Sequence, residues 1–250
     1  MMFKHILPLG AVAALSFGAC QSGPSVQLTA EERASWSQAF DAPDAHALDI
    51  RLYTQGKRVG DAAVMYDALH NMLAAAPDNA AVKDSLASLY FSGRMYGPSL
   101  ALTSELIEAS PESPRYLEMK AVAENSLGLL EDALASYESL LAVDPNPYFA
   151  YQIATLQYGL NDYETAEASV DNMLAADLGE QKVNINLANG RAQSVPMKAA
   201  LLNIKGVLRK DVHKDLEKAT EYFQLAMAEA PDFLLPQNNL AVMQQGSQAN

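Results

Sequence analysis

Cysteine occurs once among the 250 residues, as Cys20. No internal disulfide can form and no cysteine-based metal cluster can be built. Basic residues are also scarce, 17 Lys and Arg against 30 Asp and Glu, for a formal charge of −13. Phosphate neutralisation needs a basic stripe, so a nucleic acid ligand is not expected. Gly-rich phosphate loops and His-Glu-x-x-His pairs are both missing. The histidines beyond the first twenty residues, His46, His70 and His213, lie far apart, and they read as exposed helix positions rather than metal ligands or acid–base groups. Acidic pairs such as Glu31-Glu32 and Glu131-Asp132 fall in first helical turns, where they complement the helix dipole. The chain is therefore expected to have no catalytic residues, metal or cofactor. What it has in abundance is Ala, Leu and other apolar residues, half of the total, which is ample for a continuous core.

The long apolar runs of a membrane span are missing too. The run from Ile6 to Phe17 follows Lys4 and His5 and gives way to Gly18, Ala19 and Cys20. A basic start, a short apolar stretch and a small-residue exit read as a secretory signal peptide, too short to cross a bilayer. Leu15-Ser16-Phe17-Gly18-Ala19-Cys20 resembles the lipobox of bacterial lipoproteins, although Phe17 stands where an aliphatic residue is usual. The resemblance implies cleavage after residue 19 and lipidation (palmitate among the acyl chains) of Cys20. Gln21 in place of Asp resembles an outer-membrane sorting signal, which implies a lipid anchor facing the periplasm.

Residues 20–28 read as a tether. Thr29 with Glu32 makes a capping box, which predicts a helix within 29–44 whose Trp36 and Phe40 share one face. These aromatics are expected to lid the end of the array, in preference to stacking a ligand.

Pro77, Pro111 and Pro145 are spaced 34 residues apart, each closing a helical run. In the block 80–113, Val82, Leu86, Leu89 and Tyr90 form one apolar stripe, Gly93 breaks the helix, and Leu100, Leu106 and Ile107 form a second. The block 114–147 repeats the plan around Gly128. A third begins at Tyr148 and turns at Asn161-Asp162, one residue early.

The phrases Leu127-Gly128-Leu129-Leu130-Glu131-Asp132-Ala133 with Tyr137 and Asp144-Pro145 resemble the tetratricopeptide repeat. So do Asn161-Asp162-Tyr163 with Ala166, and Ala219 with Tyr222-Phe223 and Ala230-Pro231-Asp232. The resemblance implies an all-α, right-handed α-solenoid of paired helices over 45–178 and 198–250, the last helix starting near Asn238. The pair in 45–78 departs from the pattern, with a long turn over Gly56–Gly60 and Met65 where a small residue is expected.

The period breaks at 179–197. Lys182-Val183-Asn184-Ile185-Asn186-Leu187 alternates strictly and leads to Asn189-Gly190, which predicts an inserted β-hairpin.

In tetratricopeptide arrays the first helix of each pair lines the binding groove. That implies a peptide-binding face of Asp84, Ser88, Arg115, Glu118, Val122, Asn125, Phe149 and Gln152. Val122 and Phe149 have an alternative role, packing neighbouring repeats. The expected function is a non-enzymatic, lipid-anchored adaptor that binds an envelope protein or peptide segment, with no small-molecule substrate. Two alternatives remain: strand pairing through the 182–196 hairpin, and an enzyme with a pocket beneath that hairpin, for which Lys182 and Arg191 are the only charged candidates.

Overall fold

A computed structural model describes residues 45–187 and 191–248. The signal peptide (1–19), the tether with Cys20 (20–28), the capping helix (29–44) and Asn189-Gly190 lie outside the described residues.

The described chain is a run of helix pairs: α1 (Ala45–Val59) with α2 (Ala62–Ala75), α3 (Ala80–Ser92) with α4 (Tyr96–Ala109), α5 (Pro114–Leu127) with α6 (Leu130–Val143), and α7 (Pro147–Gly159) with α8 (Tyr163–Ala175). A two-stranded antiparallel hairpin follows, β1 (Lys182–Asn186) and β2 (Ala192–Pro196). The chain then continues through α9 (Met197–Asp211), α10 (Leu216–Glu229) and α11 (Leu234–Gln248). From α2 to α10, each helix packs on the next in sequence. This is the expected α-solenoid with an inserted hairpin.

The prolines end helices through the residue before them. Ala76, Ser110, Asp144 and Ala230 each precede a proline and each closes a helix with φ between −134° and −146°. The clash of the proline ring with the preceding residue disfavours helical geometry there. New helices restart a few residues later on side-chain caps. Asp61, Asn79, Asn146, Asp162 and Asp215 each accept a bond from a first-turn N–H. Each such cap is worth about 1 kcal/mol. Pro114 and Pro147 occupy first-turn positions, where no helical donor is lost.

Within pairs, the turn requires one left-handed residue, supplied by Arg94, Gly128, Asn161 and Lys214. Gly93 is therefore not the left-handed residue. A Cβ there would stand 2.9 Å from the Tyr66 hydroxyl, which donates to the Leu89 carbonyl, so the glycine makes room for a side chain from the preceding pair. The long turn expected over Gly56–Gly60 is also corrected. Helix α1 continues to Val59 and only Gly60 turns left-handed. Gly56 instead admits Met65, whose Cγ lies 2.9 Å from where a Cβ would be. The small and large partners of this pair have simply changed places.

The core repeats by position. Ser99, Ala133, Ala166 and Ala219 are fully buried at the closest approach of paired helices. Four residues on, Thr103, Tyr137, Val170 and Phe223 fill the adjoining space, all essentially inaccessible. A larger cluster joins the C-terminal half: Tyr151, Val170 and Met173 pack with the hairpin's Val183 and Val195, with Met197 and Leu201, and with Phe233.

The last helix begins at Leu234, four residues before the expected Asn238. Pro236 sits in its first turn, where it breaks no bond. Gln193 of β2 accepts from the Leu234 N–H and donates to the Asp232 carbonyl, tying the hairpin to the start of α11.

Candidate functional site

Three of the expected groove residues meet across α3 and α5. Arg115 donates to Asp84 Oδ1 at 2.5 Å and to Ser88 Oγ at 2.7 Å, with its guanidinium over the Tyr116 ring. Ser88 in turn donates to the Asp84 carbonyl. The one cation of the expected groove is thus occupied by its neighbours. Glu118 is exposed on the next turn of α5.

Phe149 takes the packing alternative and not the groove. It is 4% exposed, packed among Leu117, Tyr137, Leu140 and Ile153, with its ring 6.3 Å from that of Tyr137. Two aromatics start α7, and the purely apolar ring takes the dry junction of α5, α6 and α7. Its neighbour Tyr148, which has a hydroxyl to hydrate, takes the open side.

Val122, Asn125 and Gln152 line a cavity of about 550 Å³ that the other expected residues do not reach. Helix α5 contributes Val122, Asn125 and Ser126; α7 contributes Tyr148, Tyr151, Gln152, Thr155 and Tyr158. Helix α9 adds Asn203, Ile204 and Val207, while Asn184, Ile185 and Asn186 of β1 close one side. Asp, Glu, Lys, Arg and His are all missing from the lining. In a chain of charge −13 this is a distinctly neutral surface, made of tyrosine rings, carboxamides and aliphatic side chains.

The tyrosines are held neutral. Burial raises the Tyr137 hydroxyl far above its ordinary value, with the charges of Tyr148 and Glu118 adding to it. Burial likewise pushes Tyr151 up to about 12 and raises Tyr148 and Tyr158. Their hydroxyls remain donors and acceptors, not bases, near neutrality. The cavity beneath the hairpin does exist, but Lys182 and Arg191 are not part of its lining.

Solved structures share the fold of the helix array. The chain matches MamA with a TM-score of 0.55 and 11% identity, over 74% of this chain and 91% of that one. It matches YrrB, described as a TPR protein with an unusual peptide-binding site, with a TM-score of 0.60 and 14% identity, over 83% of this chain and 98% of that one. The chain has the tetratricopeptide-repeat fold. No family model and no curated protein matches the sequence.

Within this tetratricopeptide array, most cavity residues were missed by groove analogy. Tyr148, Tyr151 and Tyr158 share one stripe of α7, the spacing of any apolar helix face. Only the placement of the hairpin turns that stripe into a wall. Asn184, Asn186 and Asn203 carry no sequence signal that joins them to α7. The two described histidine side chains do not converge: His70 meets the Tyr90 hydroxyl at 2.7 Å, and His213 meets Glu167 at 2.8 Å. Along that second seam Arg209 also pairs with Glu167, and the nearly buried Lys205 pairs with Asp171 and lies over Tyr222. Burial lowers the Lys205 pKa, but the bond and charge of Asp171 outweigh it, and the net shift is upward.

Proposed function

We propose that the chain is a non-enzymatic scaffold that holds a segment of a partner protein in the cavity between α5, α7, α9 and β1. The observation carrying this reading is the lining itself. Tyrosine rings and carboxamides offer neutral hydrogen bonds and flat apolar surface, and no lining side chain supplies acid–base chemistry. The fold is one that YrrB, by its description, uses for peptide binding.

A photo-crosslinking residue at Gln152, in the full-length protein in cells, is expected to capture a protein. The same residue at Leu225, on an exposed face of α10, serves as control. Identical adducts from both positions would refute the cavity reading.

The proposal extends to the cell envelope. The lipobox resemblance around Cys20 supports an outer-membrane lipid anchor facing the periplasm, and no described helix is long and apolar enough to cross a membrane. Several acyl chains, each CH₂ contributing about 0.8 kcal/mol, suffice for stable anchoring. Cys20→Ser is expected to move the protein from the membrane fraction to the soluble fraction. Unchanged fractionation would refute the anchor.

A further inference from the structure

The hairpin ladder has a parity. Leu187 donates its N–H to the Arg191 carbonyl, and Met197 donates to the Gln181 carbonyl, each at 2.8 Å. With Val183 opposite Val195 and Ile185 opposite Gln193, the odd-numbered residues of β1 are the ones bonded to β2. The N–H and C=O of Asn184 and Asn186 therefore point away from β2. The sheet has two strands, and no described residue bonds to those groups from the other side. Both residues line the cavity.

An open strand edge is a template for another strand. Here Asn184 and Asn186, both exposed, form part of the wall of an open cavity. The side chains of Val183 and Ile185 lie on the face that packs toward Tyr148 and Tyr151, so a strand added beside β1 would extend that face over the tyrosines of α7. The lining narrows the occupant further: all its side chains are uncharged, so a charged side chain of the occupant would find no counter-ion among them.

We propose that β1 binds its partner by strand addition: an extended, uncharged segment of the partner pairs with the backbone of Asn184 and Asn186 inside the cavity. This rests on the scaffold reading and specifies its mode. It separates this protein from a groove that holds peptide by side chains alone.

The test uses the full-length protein, a displayed library of random short peptides, and neutral oligosaccharides as a competing ligand class. Asn184→Pro removes one outward N–H without touching the ladder to β2, a place where edge strands accept proline. Asn184→Ala keeps that N–H and removes only the carboxamide. The selected peptides are expected to be uncharged over their central residues. Asn184→Pro should weaken them at least about tenfold, and Asn184→Ala less than about threefold. N-methylation of the peptide at alternate residues should weaken binding by a similar factor, a readout that does not depend on how either variant folds.

Charged consensus peptides, wild-type binding by Asn184→Pro, or equal effects of methylation at every position would each overturn strand addition while leaving the scaffold reading in place. Binding of oligosaccharides alone, or selection of no peptide, would overturn both.

Discussion

Gly206→Ala sets two effects of one methyl group against each other. Alanine favours a helix over glycine by about 1 kcal/mol, and Gly206 lies inside α9. The added Cβ, however, would stand 2.5 Å from Phe223 Cε1 and 2.6 Å from Cδ1. Normal contact begins about 1 Å further out, and Phe223 is fully buried, so the ring has no solvent to retreat into. Overpacking of this kind costs about 1–3 kcal/mol and outweighs the propensity gain. The net expectation is a loss of up to about 2 kcal/mol, read as a lower urea midpoint by helical circular dichroism.

The structure also supplies the rescue. In the preceding pair the corresponding positions are Ala154 and Val170, both buried in one cluster. In a Phe223→Val background, Gly206→Ala should therefore stabilise, by up to about 1 kcal/mol. The coupling between the two sites should be about 1–3 kcal/mol, the overpacking that Phe223→Val relieves. Additive effects, or a stabilising Gly206→Ala in the wild-type chain, would refute the argument.

Glu124 is buried, accepts from Ser136 Oγ at 2.6 Å, and lies 3.6 Å from the Lys120 ammonium. Gln157 with Ser169 makes the same bond one pair later. Glu124→Gln should therefore cost less than about 1 kcal/mol in thermal melts, and Glu124→Ala about 1–3 kcal/mol because Ser136 loses its acceptor. Stability should also fall in alkali. With Tyr151 raised to about 12 by burial, the native state keeps a proton that the unfolded chain releases near pH 10. Its contribution is complete below about pH 10 and is lost as pH rises through about 12, a change of about 2–3 kcal/mol. Melting temperatures followed alongside tyrosinate absorbance check this, and a flat profile through tyrosine ionisation would contradict it.

The sequence reveals the pairs most clearly where backbone chemistry decides. Ala76, Ser110 and Asp144 end helices because proline follows, and Asn79 and Asp162 start helices because their side chains cap. The strand alternation of 182–187 is equally local, and the hairpin forms where it predicts. What sequence spacing hides is the exchange of volume between helices. Gly56 reads as a turn residue, but its role is to admit Met65, and Gly93 serves Tyr66 rather than the turn that follows it. The site was legible in the same uneven way. Helix phase brings Val122, Asn125 and Gln152 to the cavity, whereas Phe149 on the same helix as Gln152 turns into the core. The choice between Tyr148 and Phe149 depends on a contact with Tyr137, on another helix, and no local pattern encodes it.

The bond pair from Gln193 to Asp232 and Leu234 spans 39 and 41 residues of chain. In a linear array each repeat consolidates with its neighbours alone, and either end can fray by itself. The hairpin breaks that rule at one end, because α7 and α8 share a core with β1, β2, α9 and the start of α11. The C-terminal half is then expected to form and melt as one cooperative block, held by contacts that span more of the chain than those between neighbouring repeats. The α1 end has no such strap among the described residues. Among the described residues the array therefore has a polarity, with its long-range strap at the hairpin end, beside the cavity.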